Sequence, residues 1–143
     1  MAAIASFPDI LSATQGVYGE DITYECYATV LRGQAVQVHT GTGKIEPVPT
    51  TAGTMPIGVA LEDGVAGQIV PVRVSGVAYV ANGDATTAIV AGVEVSVGTY
   101  AGAVILAVTT SAGFALGRTL EPIAGGKVGR VFVNPHIISK GAA

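Results

Sequence analysis

The sequence predicts an all-β protein, a compact β-sandwich or barrel built from two duplicated β-rich units. Apolar and polar residues alternate with a period of two along several segments, as in half-buried strands. Valine, isoleucine and threonine dominate these segments, and glycine, proline or asparagine interrupts the chain about every 6 to 12 residues. A long stretch of the chain also repeats itself at a fixed spacing. No segment shows the pattern of an amphipathic helix.

The internal repeat has an offset of 59 residues. Gly33 matches Gly92 at this spacing, and the alignment then continues without a gap. The segment "IGVALE" at 57–62 falls on "LGRTLE" at 116–121. Two copies of one β-rich unit, each of about 45 residues, are the simplest explanation of such self-similarity.

The length of 143 residues suits one domain, and the repeat divides the chain into an arm, a core and a tail. The residues before the repeat show neither periodicity, so we expect an extended N-terminal arm, with an ordinary disordered terminus as the alternative. Glu20 and Asp21 indicate a turn before the strand "ITYECYATV". The predicted divisions are an arm at 1–20, a single β domain at 21–135 with repeats at about 30–75 and 89–134, and a tail at 136–143.

Within the units, alternating valines predict strands around 36–38 and 70–74. The segments "LEDGVAGQ" at 61–68 and "LEPIAGGK" at 120–127 indicate short loops between two strands. Pro71 interrupts a predicted strand, and proline has no N–H to donate to a ladder. We therefore expect Pro71 at an edge or a bulge, and its replacement by arginine in the second copy predicts that the units differ in which edge is open.

The segment "HTGTGKI" at 39–45 resembles a phosphate-binding loop of the G-x-x-x-x-G-K-[ST] type. Val38 stands where that motif needs its first glycine, and Ile45 stands where it needs a hydroxyl. The second copy keeps the glycine but replaces Lys44 with Ala103. A turn needs the glycine and a phosphate site needs the lysine, so the two copies share a β-hairpin turn.

The composition favours a protein that buries surface against partners. Charged residues make up 12% of the chain and hydrophobic ones 50%, and the mean hydropathy is +0.58. The longest aliphatic run, at 103–108, is far short of the roughly 20 residues that span a bilayer. The first residues lack the basic and apolar regions of a signal peptide. We therefore expect an oligomer or a larger assembly with no membrane partner.

The charge pattern disfavours nucleic acid as a partner, because the net charge is −3 and the seven basic residues are scattered. The single cysteine, Cys26, rules out an intramolecular disulfide and fits a reducing compartment. We expect it to be a small buried apolar residue rather than a nucleophile.

Candidate catalytic groups are few. His39 and His136 lack the spacing of metal ligands. Glu62 and Asp63 form an acidic pair, but the second copy keeps only Glu121. We expect the two glutamates to accept backbone N–H bonds in their loops. No nucleophile elbow is present, so the sequence predicts no enzyme, no cofactor, no metal and no small-molecule substrate.

The order of these motifs resembles the capsid decoration (cement) proteins of tailed bacteriophages, a family once of unknown function and sometimes labelled recombinase-like. The resemblance covers about 15–135. It is most specific in "IGVALEDGVAGQIVPVRVSG" at 57–76 and weaker in "LGRTLEPIAGGKVGRVFVNP" at 116–135. It implies a structural virion protein, made in the host bacterial cytoplasm, that binds the outside of an icosahedral capsid. It also implies bridging of adjacent capsid subunits, often as a homotrimer.

The implied partners are the major capsid protein and further copies of this chain. The apolar residues of the arm are the candidate contacts with the capsid or a neighbouring subunit: Phe7, Pro8, Ile10, Leu11 and Tyr18. Three alternatives stay open. They are a tail, fibre or head-fibre-base module, a nucleotide- or DNA-binding recombination factor, and a secreted binding module.

Overall fold

The computed structural model describes residues 19–49, 55–97, 102, 104–106 and 113–137, which form β-strands and no helix. The strands are β1 (Gly19–Glu25), β2 (Ala35–Val38), β3 (Ile45–Pro47), β4 (Gly58–Ala60), β5 (Ile69–Ala81), β6 (Glu94–Val97), β7 (Val104–Leu106), β8 (Phe114–Thr119) and β9 (Val128–Ile137). The all-β prediction is confirmed.

The strands of the described residues belong to one antiparallel sheet of order β3-β2-β4-β5-β9-β8-β6-β7, with β1 also paired to β5. The sheet curls at both ends. Cys26, just after β1, forms a parallel bridge with Ile45 in β3, and Asn82, just after β5, forms the same bridge with Val104 in β7. The barrel-like form of the prediction therefore describes the fold better than two stacked sheets.

The ladders on the two sides of the sheet have the same register at an offset of 59 residues. Each residue pair that joins β2 to β3, β2 to β4 or β4 to β5 recurs between β6 and β7, β6 and β8 or β8 and β9. Examples are Val36↔Pro47 with Val95↔Leu106, and Ala60↔Val72 with Thr119↔Val131. This agreement supports the predicted duplication, which stays an interpretation of how the chain arose.

The strand β1 extends this correspondence beyond the repeat seen in the sequence. Ile22 pairs with Val72 in the same way that Ala78, 56 residues after Ile22, pairs with Val131. The first part of β5 therefore ends a first unit that begins with β1. The last part of β5 begins a second unit that ends with β9. Each unit has five strands, and β5 belongs to both.

The prediction for the start of the domain was wrong in detail. Gly19 and Glu20 lie in β1 rather than in an arm, and Glu20 and Asp21 flank a bulge inside the strand rather than forming a turn before it. Their polarity was misleading because the first residues of β1 face solvent. At the other end, β9 continues through His136 and Ile137, which the prediction assigned to the tail.

Pro71 contradicts the expectation of an edge or bulge. It lies inside β5, between β1 and β4, and pairs with Thr23. Its carbonyl accepts the N–H of Leu61 in the loop after β4. At the equivalent position Arg130 donates its N–H to the Glu121 carboxylate rather than to a strand. A proline here therefore loses no ladder bond, and the loops predicted at 61–68 and 120–127 are confirmed.

Each unit encloses an apolar interior. One cluster includes Val36, Ile45 and Val72 of the first unit, and a larger cluster is centred on Val95 and Leu116 of the second. Cys26 belongs to the first cluster and is 1% exposed, as expected for a small apolar residue. Burial also raises the pKa of its thiol, which disfavours the reactive thiolate.

The residue equivalent to Cys26 in the second unit is a buried asparagine, Asn82. Its Nδ2 donates to the carbonyls of Thr87 (2.8 Å) and Ile123 (3.1 Å), and its Oδ1 accepts the N–H of Asp84 (2.9 Å). The side chain is fully buried, so it holds the loop after β5 onto the loop before β9 without help from solvent.

Replacing Asn82 with alanine is expected to lower the free energy of unfolding by about 1–3 kcal/mol, because buried partners lose their hydrogen bonds. Urea unfolding followed by circular dichroism measures this loss. Cys26→Ala is the matched control, since it removes a buried side chain of similar place but no strong hydrogen bond. An equal or smaller loss in Asn82→Ala would contradict the assigned role.

Candidate functional site

The described residues present two exposed features, a hairpin turn in the first unit and a groove in the second. The turn joins β2 to β3 at 39–44, where the N–H of His39 donates to the carbonyl of Lys44 over 2.6 Å. Gly41 and Gly43 adopt positive φ angles of 89° and 71°. The hairpin interpretation of "HTGTGKI" is therefore confirmed.

Contacts at the base of this turn hold it in one conformation. The ring of His39 stacks on Tyr27, with centroids 3.5 Å apart and planes inclined by 12°. The Nζ atom of Lys44 lies 2.5 Å from the Glu25 carboxylate. The lysine that a phosphate loop would present to a nucleotide is thus paired with an acidic side chain of the same chain.

The loop glutamates behave partly as expected. Glu121 accepts the backbone N–H of Arg130 (2.9 Å) and its Nε–H (3.0 Å), which confirms the predicted role. The side-chain bond from Arg130 is also the main reason that the pKa of Glu121 is lowered. In the first unit Asp63 accepts a backbone N–H, that of Arg32 at 2.7 Å, while Glu62 is exposed.

The groove is an open depression of about 500 Å³ across β6, β8 and β9. It has a polar and an apolar wall. Its lining residues are Glu94, Gly117, Arg118, Leu120, Phe132, Asn134 and His136. Leu120 and Phe132 form the apolar wall and are 43% and 45% exposed, which is unusual for side chains of their size.

A small polar network forms the other wall of the groove. His136 Nε2 lies 3.1 Å from Glu94 Oε1, and Nδ1 lies 2.6 Å from the carbonyl oxygen of Asn134. Arg118 donates from Nη1 to the carbonyl of Gly92 at 2.7 Å. Its Nη2 is 3.9 Å from the Glu94 carboxylate. The network fixes the polar side chains but assembles no nucleophile and general base.

The carbonyl of Asn134 and then the carboxylate of Glu94 raise the pKa of His136, because both acceptors favour the protonated ring. A raised folded-state pKa stabilises the fold fully below the unfolded value of about 6.5. That contribution is lost as the pH rises through the folded value.

Wild-type protein is therefore expected to lose stability relative to His136→Gln as the pH is raised from about 5.5 to 8.5. Urea unfolding at several pH values measures the difference between the two proteins. His39→Gln is the control, and parallel pH profiles for wild type and His136→Gln would contradict the contribution of this imidazole.

Sequence reasoning did not find the groove. Its residues come from three strands, and the chain spacing between them follows neither period. The exposed apolar pair, Leu120 and Phe132, carries the signal, but exposure is not visible in a sequence. The arm residues predicted as contacts all lie in 1–18, outside the described residues.

The described residues contain no group of three or more His, Cys, Asp or Glu side chains placed to hold a metal ion. They also contain no helix with the length and apolarity needed to cross a membrane. What they present is apolar side chains in contact with solvent: Ile22, Tyr27, Leu31, Val38, Met55, Val65, Ile69, Val90, Leu120, Phe132 and Ile137.

Three comparisons with known proteins complete the description of this surface. The comparison with curated proteins finds no match. Among solved structures, the chain is similar to the N base of the head fibre gp8.5 of bacteriophage phi29, with a TM-score of 0.59 and 17% identity. The similarity covers 87% of this chain and 98% of that chain, and at this identity it shows a shared fold. A phage cement protein family model matches residues 16–135, which span all the described strands except the end of β9. The chain therefore belongs to the phage cement protein family.

Proposed function

We propose that this protein binds the outer surface of an icosahedral phage capsid and stabilises the shell by bridging adjacent capsid subunits. The observation that carries the proposal is the family match over residues 16–135. As a family member the chain is a structural protein of the virion that binds the capsid. The outer surface, the bridging and a homotrimeric state are the finer parts of the proposal, with the major capsid protein as the partner.

The surface of the described residues supports a binding role. Exposed side chains such as Ile69 and Ile137, which are 68% and 65% exposed, gain free energy when a partner covers them. A ligand that binds the assembled shell but not the loose subunit stabilises the shell by mass action. Many copies on one particle add their effects even when each contact is weak.

Co-sedimentation with emptied phage heads, followed by thermal disruption of those heads, tests the proposal. The expected result is that the protein pellets with mature heads and raises the temperature at which they break. Heads that lack the protein are the control for the disruption temperature. Protein that stays in the supernatant, or that pellets without raising this temperature, would refute shell stabilisation.

A second candidate function is the base of a head fibre. The fold similarity to the phi29 head-fibre base favours it, since that chain is covered almost completely. The two functions differ in copy number and position. Quantitative mass spectrometry of virions against the major capsid protein, with cryo-electron microscopy of the particle, separates a lattice-wide protein from one confined to fibre positions.

The recombination-factor alternative is disfavoured by the hairpin turn, in which Lys44 pairs with Glu25. Equilibrium binding of ATP and of DNA to wild type and Lys44→Ala tests it directly. Binding that is lost in Lys44→Ala would revive this alternative.

Deleting residues 1–18 is expected to leave a folded oligomer that binds heads poorly. The reason for folding is that the truncated chain keeps every described strand, from β1 onward. The reason for weaker binding is the loss of the apolar arm residues, among them Phe7, Ile10 and Leu11. Light scattering checks the oligomer and co-sedimentation checks the binding. Undiminished binding by the truncated chain would exclude the arm as the main contact.

A further inference from the structure

The turn of the second unit, between β6 and β7, docks on the first unit of the same chain. Gly102 in this turn is buried, its carbonyl accepts the N–H of Ala35 at 3.1 Å, and its own N–H donates to the carbonyl of Val48 at 3.1 Å. A Cβ atom placed on Gly102 would lie 2.8 Å from the Cβ of Gln34. The contact is therefore close, and it fits a glycine.

The equivalent turn of the first unit has no such seat within the described part of the chain. Gly43 corresponds to Gly102 at the 59-residue offset, yet it is exposed, and a Cβ placed on Gly41 or Gly43 meets no atom within 4 Å. The turn is nonetheless ordered by the stack of His39 on Tyr27 and the pairing of Lys44. A projecting turn that is already held in one conformation loses little entropy on binding.

The equivalent seat on the second unit is open. Gln34 and Ala35, which receive Gly102, correspond to Val93 and Glu94 at the same offset. Ala35 is fully buried, whereas Glu94 lines the groove of about 500 Å³. Beside it, Leu120 and Phe132 present the apolar wall that no described residue covers fully.

One turn and one seat are thus joined inside the chain, while one turn and one seat of the same kind stay open. A contact between two different surfaces is heterologous, so it can be repeated from copy to copy until a ring closes. A threefold ring needs such a heterologous contact, because each copy offers one surface to the next and another to the previous one.

We propose that the turn at 39–44 of one copy docks in the groove of the next copy, and that this contact closes the ring of the oligomer. The occupant of the groove is a second copy of this chain. The number of copies, three, rests on the proposed function, whereas the contact itself rests on the geometry of the two units.

Bulk added to the turn or charge added to the groove tests this contact in solution without any capsid. Thr40→Trp enlarges the exposed turn, and Phe132→Glu places a charge on the apolar wall. Each variant is expected to reduce the light-scattering mass about threefold, to one chain, with an unchanged circular dichroism spectrum. Thr23→Trp, on the exposed face of β1, is the matched control and is expected to keep the mass of the wild type.

A mixture of the two variants gives a sharper result. Thr40→Trp keeps an intact groove and Phe132→Glu keeps an intact turn, so one molecule of each is expected to join in a 1:1 complex that grows no further. Sedimentation velocity resolves this complex from the separate chains. Leu120→Glu replaces Phe132→Glu if the latter does not fold.

Variants that keep the wild-type mass would overturn the proposed contact, and so would a wild-type protein that is a single chain. A mixture that forms no complex would overturn its heterologous form. If deletion of residues 1–18 alone releases single chains while Thr40→Trp does not, the arm occupies the groove instead. Capsid binding is measured separately: variants that are single chains and still stabilise heads would refute the trimeric bridge but not the contact.

Discussion

Replacing Gly117 with alanine is expected to destabilise the protein by about 3 kcal/mol or more, a large part of the stability of a small domain. A Cβ atom at this position would lie 1.9 Å from the carbonyl oxygen of Phe132, a distance that no packing adjustment of side chains relieves. Gly58, the equivalent residue of the first unit, has the same constraint, with the carbonyl oxygen of Arg73 at 2.1 Å. We expect Gly58→Ala to cost a similar amount.

The reason is close backbone approach between neighbouring strands rather than an unusual backbone angle, because neither glycine has a positive φ. Gly92→Ala separates the two causes. Gly92 has a φ of 80° but open space around it, so alanine there is expected to cost only about 1–2 kcal/mol. Thermal and urea unfolding of the three variants measures the order, and a loss in Gly117→Ala no larger than in Gly92→Ala would contradict the steric explanation.

The second large effect is expected at the ion pair between β1 and β5. Arg73 is 4% exposed, its Nε lies 2.5 Å from Asp21 Oδ1, and its Nη1 donates to the carbonyl of Val77 at 2.7 Å. Asp21→Asn removes the negative charge and leaves the guanidinium buried. We expect a loss of about 2–4 kcal/mol, toward the lower side of fully buried pairs because the Asp21 side chain is 37% exposed.

Glu121→Gln is the matched control for this prediction. Its partner Arg130 is 47% exposed, so the loss of charge there is expected to cost under about 1 kcal/mol. Urea unfolding at low and high salt distinguishes the pairs, since salt screens the exposed pair more strongly. Equal losses for the two variants would show that burial does not strengthen the Asp21–Arg73 contact.

The sequence was sufficient for the fold class, the hairpin turn and the loops, because these depend on local alternation and on glycine positions. It was not sufficient for the first strand. The segment "GEDITYE" of β1 is polar where it faces solvent, and its match to the end of β5 has an offset of 56 rather than 59. A search at one fixed offset therefore begins the repeat too late.

Pro71 shows a different limit of sequence reasoning. The rule that proline avoids central strands concerns the lost ladder bond, and it says nothing of positions where the N–H faces a loop. Only the pairing of Leu61 with the Pro71 carbonyl reveals which way this part of β5 faces. The groove had the same limit, because Glu94, Arg118 and His136 come together through strand order and not through spacing along the chain.

The strand β5, with 13 residues, is the longest of the described strands and serves as a wall of both units. Unfolding either unit would strip the other of a strand and expose its apolar interior. The two units therefore cannot melt separately, and the chain is expected to lose its structure in one cooperative step. A protein assembled from two similar pieces thus behaves in solution as an indivisible one.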